Sequence, residues 1–301
     1  MGDKLQSLFQ DYFAGQLRFD EPLSRHTTIR VGGPADMLLI PKNISDILQA
    51  LRLAKEQNLP IKVIGKGSNL LVSDAGIRGL VLKISDTLDT LQIEGNEITI
   101  GAGHGLSKLA FRLGKKGFSG LEFASGIPGS IGGAVYMNAG AHGKDMAQII
   151  HKVQVIDEKC HCFWLSHDEM QFAYRTSVLQ SQSLYCIQVV LLLEKSNQEQ
   201  IILETEKNKT YRQKTQPIDF PNCGSVFRNP LPNYAGKLIE DAGLKGYRIG
   251  NAMVSEKHAN FIVNIGGATA KDILDLISYI QEKVETLYQI RLQTEVEIVG
   301  K

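Results

Sequence analysis

The chain predicts an α+β fold, on three observations. An α/β unit of about 60 residues comes first, a run of short strands joined by tight turns follows, and a long amphipathic helix with a capping box lies close to the end. The first unit places Ile44, Ile47, Leu48 and Leu51 on one helical face of residues 43–57, and the apolar runs 61–64 and 80–84 read as strands on either side of a glycine loop. From Leu88 onward the pattern is strands: a hairpin about Glu94-Gly95-Asn96, runs at 153–156 and 163–165 about Asp157-Glu158-Lys159, and an apolar stretch from Tyr185 to Leu193. The polar residues 194–200 read as a linker, followed by a charged helix to about Gln213 and a loop carrying Pro217, Pro221, Pro230 and Pro232. In the last part Thr269 and Asp272 form a capping box. Ile273, Leu276, Ile277, Ile280, Val284 and Leu287 make one apolar stripe before a final strand about 294–299. The expected domains are 1–195, in subdomains 1–86 and 87–195, and 196–301.

The most informative stretch is SGIPGSIGGAVYMNAGAHG at 125–143, six glycines with one proline and two serines. Glycines at this density let backbone approach a ligand without an intervening Cβ, and a turn entering a helix can aim N–H groups at phosphate oxygens. An earlier loop in the chain, Gly65-Lys66-Gly67-Ser68-Asn69, follows the apolar run at 61–64, so the first and second glycine loops suggest two ends of one long diphosphate ligand. No Gly-x-x-x-x-Gly-Lys-Ser/Thr occurs, and Gly101-Ala-Gly-His-Gly105 is followed by Leu106 where a dinucleotide fingerprint needs its third glycine. Both of the commonest nucleotide-binding motifs are therefore disfavoured.

Composition sets outer bounds. With 301 residues, 43% of them hydrophobic, the chain can bury a substantial core, and a formal net charge of +1 gives no field to attract nucleic acid or an anionic membrane. Four scattered cysteines do not make a disulfide scaffold, and Cys160-His161-Cys162 lacks the second ligand pair of a structural zinc site, so no metal is expected. The first 15 residues, with Leu5, Leu8, Phe9, Tyr12 and Phe13 in helical spacing, read as an amphipathic surface helix rather than a signal peptide. No run reaches the roughly 18–20 apolar residues of a membrane span, so a cytoplasmic protein is the expectation.

Several motifs together resemble a known family. They are TTIRVGGPAD at 27–36, GKGSNLLVSD at 65–74, SGIPGSIGGAVYMNAG at 125–140, Tyr174-Arg175-Thr176-Ser177, CGSVFRNP at 223–230, AGKLIEDAGLKG at 235–246, VSEKHANFIVN at 254–264 and TEVEIVG at 294–300. In this order, from about residue 20 to the C-terminus, they are similar to the UDP-N-acetylenolpyruvoylglucosamine reductases, in the shorter form lacking an extra substrate-covering loop. The resemblance implies a two-part FAD-binding domain of the vanillyl-alcohol-oxidase (PCMH) type and a smaller α+β substrate domain. It implies bound FAD, NADPH as hydride donor, and UDP-N-acetylglucosamine enolpyruvate as the substrate, reduced to UDP-N-acetylmuramate for peptidoglycan synthesis. No nucleic acid, membrane or protein partner is implied.

Carried over residue by residue, the match makes Arg175, Ser225 and Glu295 the catalytic set. Arg175 supplies a forked, permanently charged guanidinium for a carboxylate gaining charge, Ser225 the proton, and Glu295 a polarising group. Along a strand Glu295 and Glu297 share side-chain parity, so pattern leaves both open, and only the motif register selects Glu295. FAD would be held by Gly65, Lys66, Gly67, Ser68 and Asn69, and by Gly126, Pro128, Gly129, Ser130, Gly132, Gly133 and Asn138. Backbone N–H groups of Gly67, Ser68, Asn69, Gly129, Ser130 and Gly132 would be the donors. Lys214, Arg228 and Asn229 would take the substrate diphosphate. Two departures stand out: His142 where many relatives carry tyrosine, and Cys223 before Gly224-Ser225. An oxidase of the same cofactor fold would have no reason to carry CGSVFRNP, VSEKHANFIVN and TEVEIVG together. A catalytically silent binding protein would be expected to have lost one of the three catalytic residues.

Overall fold

A computed structural model of the chain describes Phe9, residues 12–84 and residues 87–300. The expected N-terminal helix lies largely outside these residues, although Phe9 is fully buried with the Phe13 ring 6.0 Å away. The chain runs β1 (Gln16–Pro22), β2 (Pro34–Ile40), α1 (Ile44–Glu56), β3 (Ile61–Ile64), β4 (Leu70–Val72), β5 (Ile77–Lys83), β6 (Leu91–Glu94) and β7 (Glu97–Gly101). It continues α2 (Leu106–Gly114), α3 (Ile131–Tyr136), β8 (Ile150–Asp157), β9 (Cys162–Ser166), β10 (Leu184–Leu192) and α4 (Gln198–Thr215). The last elements are α5 (Ala235–Asp241), β11 (Arg248–Ile249), β12 (Ala252–Val254), β13 (Ile262–Asn264), α6 (Ala270–Tyr288) and β14 (Glu297–Val299).

The chain divides into two compact units. The first takes Met1–Phe19, Met37–Lys66 and Gly79–Tyr211; the second takes Asp20–Asp36, Gly67–Arg78 and Arg212–Lys301. In the first, a four-stranded sheet in the order β1-β2-β5-β3 pairs β3 parallel to β5, from Ile61 opposite Leu80 to Ile64 opposite Lys83. Helix α1 starts at Asn43, whose side chain accepts the Asp46 N–H, and buries Ile47, Ala50, Leu51 and Ala54 with Met37, Leu39, Leu80 and Leu82. Strands β9-β8-β10-β7-β6 make an antiparallel five-stranded sheet whose hairpin at Gly95-Asn96 holds Gly95 at φ 59°. Its core joins Ile98, Ile100, Val153, Val155, Val189 and Leu191 to Leu109, Leu113 and Ile131 of the helices.

The polar segment after β10 includes a two-residue pairing of Glu194-Lys195 with Phe118-Ser119, then enters α4. Along α4 the buried Asn208 amide donates to the Glu122 carbonyl at 3.2 Å, and the Thr205 carbonyl accepts the Ser125 hydroxyl at 2.9 Å.

In the second unit, α6 opens with the expected capping box: the Thr269 hydroxyl accepts the Asp272 N–H and the Asp272 carboxylate accepts the Thr269 N–H, each at 3.0 Å. Asp74 adds a second carboxylate to the same helix start, accepting Ala270 N–H at 2.8 Å and Lys271 N–H at 3.0 Å, which satisfies donors the helix cannot. Ile273, Leu276, Ile277, Ile280 and Val284 are buried as the stripe predicts, but Leu287 is 49% exposed, because the stripe has rotated off the core by the last turn. The final strand is shorter than expected. Only residues 297–299 run parallel to β4, while Thr294 makes a single bridge to Phe227.

Candidate functional site

The second glycine loop of the first unit is built on three backbone bonds to the turn after β7. Leu106 N–H donates to Gly129 O at 3.1 Å, Ile131 N–H to His104 O at 2.9 Å and Gly132 N–H to Ala102 O at 2.8 Å. Ser130, 3% exposed, caps α3 by accepting the Gly133 N–H at 3.4 Å. The start of α3 is thereby filled by protein acceptors, so the free N–H expected at Gly132 is not there, and that glycine serves contact between chain segments. The N–H groups of Gly126, Gly129 and Ser130 have no protein acceptor among the described residues, which leaves three donors for an anionic ligand.

Gly65 brings the two loops together in this unit. A Cβ at Gly65 would lie 2.4 Å from Ser130 Oγ, so glycine lets the end of β3 reach the cap of α3 without turning the Ser130 hydroxyl aside. Lys66 Nζ reaches to 3.1 Å from where a Cβ on Gly105 would stand. The segment Gly101–Gly105, which lacks the third glycine of a dinucleotide fingerprint, is the backbone partner of the second loop. Its density of glycine was the available signal.

Arg175 belongs to the same neighbourhood. It adopts φ 55°, its Nη2 donates to Gly140 O at 3.1 Å and its guanidinium lies 5.1 Å from the Tyr174 ring. The Gln180 amide holds the Arg175 carbonyl at 3.0 Å and the Tyr136 carbonyl at 2.7 Å, so the arginine loop is pinned to the exit of α3. Asn138, 2% exposed, donates to Ala173 O at 3.0 Å and accepts the Ala147 N–H at 2.9 Å, tying the end of the glycine loop to the residues before Arg175. His142 is exposed at φ 55°, its ring edge-on to Tyr211 at 5.5 Å.

In the second unit, Gly67 is at φ 63° and a Cβ there would lie 2.2 Å from His26 O. Neither the backbone conformation nor the space admits another residue. Two residues on, the Asn69 amide donates to Glu295 O at 3.0 Å and Asn69 O accepts the Glu297 N–H at 3.0 Å. Ser225 is delivered to the same place from a third segment. Val226 O accepts both Glu295 N–H at 2.7 Å and Val296 N–H at 3.3 Å, a doubled contact that interrupts regular strand alternation between Glu295 and Glu297.

Asn260 underlies this arrangement. At 5% exposure its carbonyl accepts Val226 N–H at 2.8 Å, its Oδ1 accepts Phe227 N–H at 2.9 Å and its amide donates to Phe227 O at 2.8 Å. Asn260 lies within VSEKHANFIVN, whose residue pattern alone assigns it no task. Gly224, at φ 80°, turns the chain into Ser225, which is half-buried like Glu295. Cys223 is buried, and burial pushes its thiol up to about 12, so it is an inert packing residue beside the serine. Asn229 Oδ1 caps the approach to α5 by accepting the Ala235 N–H at 3.0 Å; Arg228 is half-buried, and Lys214 is exposed in the last turn of α4. Among the described residues no group of three or more His, Cys, Asp or Glu is arranged to hold a metal.

Comparison with known proteins supplies the context for these geometries. Residues 35–166 match an FAD binding domain, and residues 216–299 match the C-terminal domain of UDP-N-acetylenolpyruvoylglucosamine reductase. The chain is 51% identical over 300 residues to UDP-N-acetylenolpyruvoylglucosamine reductase of Bacillus licheniformis, covering 99% of each. The chain belongs to the UDP-N-acetylenolpyruvoylglucosamine reductase family. Among solved structures it is similar to the family's enzyme from Thermus caldophilus, with 34% identity, a TM-score of 0.83, and coverage of 96% of this chain and 100% of the other. A solvent-stable cholesterol oxidase shares the fold alone, with 13% identity and a TM-score of 0.50 over 62% of this chain and 39% of the oxidase. The expected FAD-binding fold, followed by the family's own C-terminal domain, is what the chain has. FAD fits the residues present: the N–H groups of Gly126, Gly129 and Ser130 are three donors without a protein acceptor among the described residues, suited to an anionic diphosphate.

Proposed function

We propose that this chain reduces the enolpyruvyl group of UDP-N-acetylglucosamine enolpyruvate to give UDP-N-acetylmuramate, with NADPH as reductant. The observation that carries the reading is the meeting of Glu295 with Asn69 and with Val226, the residue after Ser225, in the second unit of a chain with a matched FAD-binding domain. FAD, when bound, supplies reversible two-electron hydride chemistry. Residues 65–69 and 126–133 would hold it, with the N–H groups of Gly126, Gly129 and Ser130 as donors to its diphosphate.

As the double bond takes up a hydride at its terminal methylene carbon, negative charge builds on the neighbouring carbon and spreads into the carboxylate. Arg175 is the cation for that charge, held by the Gly140 carbonyl and the Gln180 amide, so it need not be reorganised when the charge appears. Ser225 Oγ–H gives its proton to the same carbon, completing the new methine and fixing its hand, and the alkoxide left on Oγ takes a proton back from solvent water. Glu295, placed by the Asn69 amide, polarises the group from the other chain segment. Lys214, Arg228 and Asn229 are assigned to the substrate diphosphate. No helix among the described residues is long and apolar enough to cross a membrane, and a cytoplasmic site, where NADPH is available, suits the reading.

The test is anaerobic flavin absorbance. The purified holoprotein should bleach with one equivalent of NADPH and recover at once with the enolpyruvyl substrate. Recovery only on admitting air would point to an oxidase and overturn the proposal.

A further inference from the structure

We propose that Thr28 is a positioning residue that couples the Gly67 loop to the loop carrying Ser225. Thr28 sits in a tight turn in which Arg30 N–H donates to Thr27 O at 3.2 Å and Arg30 adopts φ 57°. Its backbone N–H donates to Gly67 O at 3.1 Å. Its hydroxyl donates to Asn222 O at 2.6 Å; the same oxygen lies 3.5 Å from Gly67 O, so its single proton belongs to the shorter contact.

Asn222 passes the constraint on. Its Oδ1 accepts the Gly224 N–H at 3.0 Å, and Gly224, at φ 80°, sets the direction of Ser225. The neighbouring Ile29 carbonyl is held by the buried Asn264 amide at 3.1 Å, and Asn264 N–H donates to Pro221 O at 2.9 Å, so the turn is also tied to the residue before Asn222. One residue thus bonds to the Gly67 loop through its main chain and to the Ser225 loop through its side chain. A proton donor must be held to a fraction of an ångström relative to the carbon it serves, and a part-buried hydroxyl-to-carbonyl bond of this kind supplies that constraint.

The assignment rests on the proposed reductase reading for its kinetic consequence and on geometry alone for its structural one, so the test has two arms on the FAD-loaded protein. The first is amide hydrogen exchange in wild type, Thr28→Val and Thr28→Ser. Thr28→Val should exchange several-fold faster at residues 222–226, and Thr28→Ser, which keeps the hydroxyl, should match wild type. The second arm measures the two flavin half-reactions separately. Thr28→Val should keep its rate of bleaching by NADPH and lose roughly tenfold in recovery with enolpyruvyl substrate per bound flavin, with a larger solvent deuterium isotope effect. Unchanged exchange at 222–226, equal loss in both half-reactions, or failure of the serine variant to restore recovery would each overturn the assignment. If the wild-type flavin itself ignores the substrate, the reductase reading fails while exchange still decides the role of Thr28. Should Thr28→Val not fold, Thr28→Ala removes the same donor with less bulk and is read in the same two ways.

Discussion

The Asn69 side chain donates to the main-chain carbonyl of Glu295 across 226 residues of sequence, at 3.0 Å. Because Asn69 O also takes the Glu297 N–H, one residue of the first glycine loop grips the last strand on both sides of its turn. Replacing it with alanine removes one part-buried hydrogen bond and should cost about 1 kcal/mol. Asn69→Asp should cost more, since a carboxylate there faces a carbonyl oxygen. Thermal unfolding of both variants checks the order, and a lower flavin turnover in Asn69→Asp than in Asn69→Ala checks that Glu295 has moved.

Gly67 and Gly65 make a graded pair. A Cβ at Gly67 meets backbone, His26 O at 2.2 Å, and demands positive φ; a Cβ at Gly65 meets the Ser130 hydroxyl at 2.4 Å, which can rotate aside. Gly67→Ala should therefore be the more damaging, by several kcal/mol against about 1 kcal/mol for Gly65→Ala and the weakened α3 cap. Unfolding midpoints and the FAD retained on purification read the difference.

The glycine loops, the capping box and the strands of the antiparallel sheet were legible because each is a local pattern of a few residues. Asn43 ahead of α1 and Thr269 ahead of α6 are helix starts that side-chain chemistry dictates. What pattern could not supply was company. That residues 20–36 and 67–78 join the C-terminal part of the chain depends on pairings such as β4 with β14, more than 200 residues apart, which no local window contains. The choice between Glu295 and Glu297 was closed to parity for a related reason: the Val226 carbonyl breaks the alternation on which parity rests. Asn260 and Thr28 carry no sequence signature of their own, since an asparagine or threonine bonding to distant main chain looks like any other.

Acid should weaken the start of α6. The Thr269 N–H holds the Asp272 carboxyl below its ordinary value of 3.8; burial opposes it, and the Asn251 N–H and the Thr269 hydroxyl each add a lesser lowering. A carboxyl lowered in the folded state contributes stability that is present above its unfolded value and is lost as pH falls through the folded one. Asp272→Asn should be less stable than wild type at pH 7, and the gap should close as the pH is taken below 3.8. Denaturant unfolding at a series of pH values shows whether the two curves converge.

The most direct measurement of the account is the pair of flavin half-reactions in Ser225→Ala. The variant keeps the main-chain bonds of the adjacent Val226 to Glu295 and Asn260, so it should retain FAD and be reduced by NADPH at nearly the wild-type rate. Recovery of the flavin with enolpyruvyl substrate should fall by a factor of 100 or more, on the order expected for loss of a positioned proton donor. Equal loss in both half-reactions, or recovery at the wild-type rate, would contradict the role given to Ser225.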